Sequence, residues 1–416
     1  MSNTLIKNIG ILAGILENTS APIRGSALKS LNEIKNAFVF IKDDRIADYG
    51  CMRELPSDYA ADIHLDASGR IVLPSWCDSH THIVYASSRE QEFVDRINGL
   101  SYQEIAQRGG GILNSATKLR NASEEELLEG ALKRLDEILA MGTGAVEIKS
   151  GYGLDVKSEL KMLRVIRKLD KKHPIKVRST FLGAHALPSE FKNDKKGYIN
   201  LIINEMLPEI HNEKLADFVD IFIEKGYFDI DDAAQIMEAS KAYGLIPKVH
   251  VNQFNAFGGI RAMVDQNALS VDHLEEMNEE DFEALRGKKT IAGLLPNCSY
   301  FLGIPYAPAR KMIDQNIAIA LATDFNPGST PSGNMNQVVS AACIKMRIAP
   351  EEAINAGTIN GAYAMNLDHS FGSITIGKKA NLSITKPMDS IAYLPYYFGI
   401  NPIDKVLISG SVVKSH

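Results

Sequence analysis

Cysteine is scarce in this chain: 416 residues contain four, Cys51, Cys77, Cys298 and Cys343, and no two of them form a CxxC pair. That spacing argues against a disulfide framework or a thiolate zinc module, and the expectation is buried free thiols. Long apolar runs are missing as well, and the opening Met1-Ser2-Asn3-Thr4-Leu5 has no basic stretch ahead of an apolar signal segment. No membrane association is expected, and cytoplasmic residence is the default. Positive charge is not in excess: the formal net charge is -6, which provides no broad footprint for nucleic acid. Internal repeats and low-complexity segments are absent too.

The remaining composition is that of an ordinary globular chain, 45% hydrophobic and 23% charged. Its length exceeds the size at which single cores stop growing, so a large domain with a smaller companion is expected. From about residue 145 onward, short β-branched runs alternate with amphipathic segments, the pattern of βα units around a parallel sheet. The strand candidates are 71–76, 145–149, 177–184, 218–224, 247–251, 269–273, 290–296 and 317–323. Eight such strands close a TIM-type barrel.

Helical spacing of Leu128, Leu132, Leu135 and Leu139 predicts a helix over 123–141, opened by a capping box of Ser123 with Glu126 and ended by Gly142. Segments 157–171 and 231–243 read the same way. Outside the barrel, Ala37 to Ala47 reads as a hairpin turning at Lys42-Asp43-Asp44, and short strands are expected within 372–385 and 405–413. The fold class that results is α/β: a distorted (β/α)8 barrel over 71–368, with a small β-sandwich built from residues 1–70 and 369–416. The long stretch 85–119, containing Arg108-Gly109-Gly110-Gly111, is too long for a βα loop and is expected to cover the barrel mouth.

The sharpest local signal is Asp78-Ser79-His80-Thr81-His82 at the end of the first strand candidate. Residues two apart in extended chain project the same way, so His80 and His82 can ligate one ion. The other strand candidates end in Lys149, His185, Glu224, His250, His273, Asn297 and Asp324. In a TIM-type barrel the C-terminal strand ends converge on one cavity, so this shared position is a stronger signal than any one residue. His80, His82, His250 and Asp324 supply three imidazoles and a carboxylate, a donor set suited to one divalent metal ion, Zn²⁺ or Fe²⁺, with a position left for water. Such an ion turns bound water into a hydroxide nucleophile near neutral pH. Asp324 could take the water's proton and His273 could hold the water.

These residues resemble the amidohydrolase superfamily. Within it, Arg89-Glu90-Gln91-Glu92-Phe93, Arg108-Gly109-Gly110-Gly111-Ile112, Glu147 to Leu154, Phe181 to Ala186 and Ala322 to Ser329 are similar to motifs of the imidazolonepropionases, over about residues 35–413. The resemblance implies hydrolysis of 4-imidazolone-5-propionate to N-formimidoyl-L-glutamate in histidine breakdown, with metal-bound hydroxide attacking the ring carbonyl. It implies metal ligation by His80, His82, His250 and Asp324, and substrate contacts from Arg89, Tyr152, His185, Gln253, Asn326, Gly328 and Ser329. His273, Asp324 and His185 are the catalytic candidates; His185 or His273 would stabilise the developing oxyanion.

The residue chemistry agrees with those roles. A propionate tail needs a cation, and the planar fork of Arg89 matches a carboxylate, although a salt bridge to Glu90 or Glu92 is the plainer role for it. Tyr152 sits between two glycines that let the backbone turn and present the phenol. The glycine of Asn326-Pro327-Gly328-Ser329 permits close backbone approach to a ligand. Lys149 is expected to be structural, paired with Glu147 or Glu224, and not a carbamylated bridge between two metals. Gln253 stands where the family also has Glu, which moves proton transfer onto His273 or Asp324. A deaminase on the same barrel would want a Glu close after His250, where the chain reads Val251-Asn252-Gln253; a silent scaffold relative would have lost ligands. A homodimer is the expectation from base rates.

Overall fold

The computed structural model describes residues 3–16, 21–100, 104 and 110–415. Two sheets organise it. The chain starts with β1 (Thr4–Ile15), β2 (Asn32–Lys42), β3 (Arg45–Cys51), β4 (Ile63–Asp66) and β5 (Ile71–Pro74). It then enters a parallel series: β6 (Trp76–Thr81), β7 (Thr143–Lys149), β8 (Lys176–Ala184), β9 (Phe218–Ile223), β10 (Ile246–Val251), β11 (Ser270–His273), β12 (Ile291–Leu294) and β13 (Ile319–Leu321). β14 (Leu382–Thr385), β15 (Ile403–Ile408) and β16 (Ser411–Ser415) follow.

Each strand from β6 to β13 pairs in parallel with the next, which is the order of a βα barrel. Closure between last and first strands is made beside the histidines: the Asp324 amide donates to the His80 carbonyl at 3.0 Å, and the His82 amide to the Phe325 carbonyl at 2.8 Å. The chain ends meet in a mixed eight-stranded sheet in the order β16-β15-β14-β5-β1-β2-β3, with β4 added on β1. It has its own core, in which Ile6, Leu12, Val39, Val72, Ile384 and Leu407 are buried. The expected hairpin is β2 and β3, turning at Asp43, whose φ of 57° is the left-handed geometry a two-residue turn requires.

One strand assignment is corrected. Ile71–Pro74 does not open the barrel; it pairs with Ile11 and Leu12 on one side and with Leu382 to Ile384 on the other. The chain crosses at Ser75, whose amide donates to the Asn381 carbonyl at 3.0 Å, and the barrel begins at Trp76, whose amide donates to Gly142 at 2.9 Å. The barrel boundary expected at 71 therefore moves to Trp76. An apolar run buried on both faces looks the same in either sheet, so composition could not separate the two. β1 was not anticipated, and of the expected 372–385 strand only Leu382–Thr385 forms. Asn297 is likewise not at a strand end; it lies in the first turn of a helix, Pro296–Leu302.

The helix Glu124–Ala140 carries the expected capping box: Ser123 Oγ accepts from the Glu126 amide at 3.2 Å, and Glu126 accepts from the Ser123 amide at 2.8 Å. Its buried stripe is Leu127, Ala131, Leu135, Ile138 and Leu139, turned slightly from the expected leucines, so Leu128 and Leu132 sit at its edge. Ser123→Ala is expected to lower stability by about 1 kcal/mol, read as a shift in denaturation midpoint with unchanged slope. Cys77 and Cys298 are buried, whereas Cys51 and Cys343 are only half-buried. Among the described residues no helix is long and apolar enough to cross a membrane.

Candidate metal centre and active site

His80 lies in β6, His82 just beyond it, and His250 in β10; a ligand nitrogen from each falls within 4.8 Å of the other two, and all three rings are buried. Burial holds His80 and His82 well below the usual imidazole range, so both are neutral, as metal ligands must be. His80 Nδ1 is bonded to Asp272 at 2.8 Å and His250 Nδ1 to Asp220 at 3.1 Å. Each carboxylate can only accept, so the two Nδ1 atoms carry the hydrogens. The two Nε2 atoms then present lone pairs, and both are buried without a protein partner. Leaving such acceptors unsatisfied is costly unless a cation takes them. Asp324 Oδ1 sits 3.6 Å from His80 Nε2 and 3.7 Å from His82 Nε2. Two donors bound tetrahedrally at Zn²⁺ distances lie about 3.4 Å apart, so this spacing fits a shared ion.

Beneath the histidines is a dry layer of charge. Lys149 Nζ donates at 2.7 Å to both Glu147 and Asp220 and lies 3.7 Å from Asp272. Lys248 Nζ bonds Glu147 and the Ser79 and Ala364 carbonyls. Both lysines are fully buried. Burial disfavours the Lys149 ammonium, but Asp220 and Glu147 outweigh it and raise its pKa. Lys149 is thus a structural cation, as expected. Its partners are Glu147 and Asp220, not Glu224, which accepts from the Phe254 and Asn255 amides in the loop after β10.

Residues at and just beyond the strand ends around the ion site adopt costly backbone. Asp324 has φ 55°, His273 φ 90° and Leu274 φ 64°, left-handed values that cost on the order of 1–3 kcal/mol each outside glycine. They aim His273 Nδ1 at Glu275, 3.5 Å away. Burial opposes protonation of His273, yet the Glu275 carboxylate outweighs it and the ring's pKa is raised. His185 behaves oppositely: burial, with His250 beside it, brings it down to about 3. Its Nδ1 donates to the Gly151 carbonyl at 3.0 Å, which leaves Nε2 an acceptor. A Cβ on Gly151 would stand 2.9 Å from that Nδ1, at φ 106°, so glycine is required there.

These groups open onto a cavity of about 400 Å³, within the size range of small-molecule sites. His82, His250, His273 and Asp324 line one end, with His185 and Tyr152 beside them, and Arg89, Arg96, Glu92 and Gly328 line another part. Arg89 Nε donates to Glu92 at 2.9 Å, and the other oxygen of Glu92 accepts from the Gly111 amide at 2.9 Å. Glu92, not Glu90, is therefore the salt-bridge partner. A Cβ on Gly328 would come 2.2 Å from Arg89 Nη1, so a larger residue here would push the guanidinium out of its present position. Asn326 folds that loop internally: its Oδ1 accepts from the Gly328 and Ser329 amides, both at 2.8 Å. Ser329 Oγ donates to Asp324 Oδ2 at 3.1 Å. Gln253 Nε2 rests on the Cys298 sulfur at 3.6 Å.

Every predicted site residue except His80 lines this cavity; His80 is buried next to His82 and His250. Glu159 was not anticipated. Buried completely, it accepts from the Gly151, Gly153 and Leu154 amides at 2.7–3.1 Å and so holds the loop that presents Tyr152. Asp220, Asp272 and Lys248 were missed too. Their signal was available: single charges placed inside otherwise apolar strands, with Lys248 two residues before His250 on the same face. Arg108 and Gly109 of the glycine motif lie outside the described residues.

Residues 224–413 match the Amidohydrolase family. Over 410 residues the chain is 61% identical to the imidazolonepropionase of Flavobacterium johnsoniae, covering 99% of this chain and 100% of that protein. The imidazolonepropionase of Geobacillus thermodenitrificans is 41% identical over 418 residues, covering 99% and 98%. The chain belongs to the imidazolonepropionase family. Among solved structures, Escherichia coli guanine deaminase is similar over 100% of both chains, with a TM-score of 0.75 and 13% identity. A Xanthomonas campestris adenosine deaminase with bound zinc gives 0.73 at 13% identity over 98% of this chain and 92% of that one. At such identity the likeness is one of fold. Imidazolonepropionases thus share their barrel with deaminases, and the choice of substrate must lie in the cavity residues.

Proposed function

We propose that this chain opens the ring of 4-imidazolone-5-propionate by hydrolysis, giving N-formimidoyl-L-glutamate. The observation that carries the reading is a cavity lined both by His82, His250 and Asp324 of the ion site and by the Arg89 guanidinium that Glu92 anchors, in a chain of this family. His80, His82, His250 and Asp324 would hold the divalent ion; their donor set suits Zn²⁺ or Fe²⁺. When bound, such an ion supplies an acidified water and a Lewis-acid contact for a carbonyl oxygen.

The remaining chemistry belongs to side chains. His273, which the Glu275 carboxylate favours in its protonated form, keeps its Nδ1 hydrogen toward Glu275 and uses a second hydrogen on Nε2 to hold the water and to donate to the oxygen that becomes anionic. His185 takes the complementary role: as a neutral ring with Nε2 an acceptor it receives a ring N–H of the substrate, and in this reading the oxyanion contact falls to His273; the Nδ1 bond to Gly151 supports that choice. Asp324 takes the water's proton through Oδ2, the oxygen that Ser329 already hydrogen-bonds. Arg89 grips the propionate carboxylate beside Gly328, while Tyr152 and Gln253 close the sides of the ring site. Asn326 contributes by shaping the loop. The same reading places the reaction in the cytoplasm, in a homodimer.

Purified, metal-loaded protein supplied with the imidazolone is expected to consume it and release N-formimidoyl-L-glutamate. No turnover, while another cyclic amide is opened or ammonia is released from a nucleobase, overturns the substrate assignment.

A further inference from the structure

A second group of donors adjoins the ion site, with the Cys298 thiol beside Asp324, but supplies none of that site's four ligands. His273, Glu275 and Cys298 each bring one ligand atom within 4.8 Å of the other two, and all three are buried. Two features of this group are costly and unexplained by packing. Glu275 is 5% exposed, yet its Oε2 has no hydrogen-bond partner, while Oε1 accepts from Ser299 at 3.4 Å. A buried carboxylate oxygen normally finds a donor, and its absence marks a place where a positive group is missing. Next to it, His273 and Leu274 hold consecutive left-handed backbone, which turns the imidazole and the carboxylate of the His273-Leu274-Glu275 tripeptide toward one another. The third corner is a fully buried thiol whose sulfur accepts a hydrogen bond from Gln253, so it already presents electron density to a donor.

We propose that His273, Glu275 and Cys298 form a second cation site, distinct from the His80, His82, His250 and Asp324 set, that takes a thiophilic divalent ion such as Zn²⁺ or Co²⁺. One imidazole, one carboxylate and one thiolate form a borderline-soft donor set of the kind those ions prefer. Binding requires that the Cys298 thiol and the coordinating His273 nitrogen give up their protons to solvent, so the ion exchanges for protons with no redox change. The consequence for the enzyme is inhibitory: an ion between His273 and Glu275 displaces the Nδ1 hydrogen and takes the carboxylate that favours the protonated ring, so Nε2 no longer has a hydrogen to donate to the water or the developing oxyanion. Excess metal then slows the reaction that the first equivalent permits. The existence of the site stands apart from the substrate assignment, and only the inhibition rests on it.

The two sites differ in one atom type that can be seen directly, because the first has no sulfur ligand. Metal-free protein titrated with Co²⁺ is expected to bind a first equivalent without a thiolate-to-cobalt charge-transfer band, and a second equivalent with one. Cys298→Ser is expected to abolish the band and the second equivalent while keeping the first. In the unsubstituted protein the second equivalent should lower turnover of the imidazolone several-fold, and in Cys298→Ser it should not. Saturation at one equivalent with no sulfur band overturns the proposal. So does a band that persists in Cys298→Ser, which would trace the sulfur to another cysteine. If the band behaves as expected but the imidazolone is not consumed at all, the site stands and the substrate reading fails.

Discussion

Lys149→Met is expected to destabilise the protein by about 3–5 kcal/mol, the range for removing one partner of a buried ion pair. Lys149 and Lys248 face Glu147, Asp220 and Asp272 in a layer from which solvent is excluded. With all five ionised the layer carries one excess negative charge, and deleting Lys149 doubles that. The methionine fills the space of the methylene stem, so the loss isolates charge from packing. Burial cannot be relieved by water in the barrel centre, and protonating the carboxylates would in turn loosen their hold on His80 and His250. The comparison that gives the number meaning is Lys168→Met, which breaks a pair with Glu124 at 45% side-chain exposure. That change should cost no more than about 1 kcal/mol. Denaturant midpoints measured on both variants test this; equal shifts would show that the buried layer is not what holds the barrel centre together.

Asp272→Asn is expected to weaken metal binding or activity by roughly 10–100-fold, the usual effect of losing an outer partner of a ligating histidine. The argument rests on the tautomer. Asp272 accepts from His80 Nδ1 at 2.8 Å, which keeps the lone pair on Nε2. An asparagine can satisfy the same geometry with its oxygen, but it withdraws the negative charge that makes the imidazole a better donor, and its amide nitrogen competes for the other orientation. Lys149 is 3.7 Å from this carboxylate and keeps its two shorter partners, so the fold should survive. His80→Ala removes the ligand itself and should cost more than the outer partner does, with metal content falling well below that of the parent. Metal analysis beside turnover checks the ranking. A fully active Asp272→Asn protein with unchanged metal affinity would mean that His80 is oriented by something other than this hydrogen bond.

Much of the site could be read along the chain because it is local. His80 and His82 share a face by the two-residue repeat of extended backbone, and His185, His250, His273 and Asp324 were found because each stands at the end of a strand candidate. The capping box at Ser123 and the hairpin at Asp43 are equally short-range: neighbouring residues satisfy each other's backbone groups. None of these needs knowledge of a distant partner.

The choices that remained were choices of partner, and those are made across the barrel. Whether Ile71–Pro74 belongs to the barrel or to the end sheet depends on edges contributed by Ile11 and Leu382, sixty and more than three hundred residues away in the chain. That Lys149 pairs with Asp220 and not Glu224, and that Gly151 fixes His185 as an acceptor, follow from packing distances no local pattern encodes. The barrel and the family were legible along the chain, as were the candidate metal ligands. Which nitrogen of His80, His185 and His250 carries the hydrogen was settled by folding, because a buried imidazole takes its tautomer from the oxygen brought within reach.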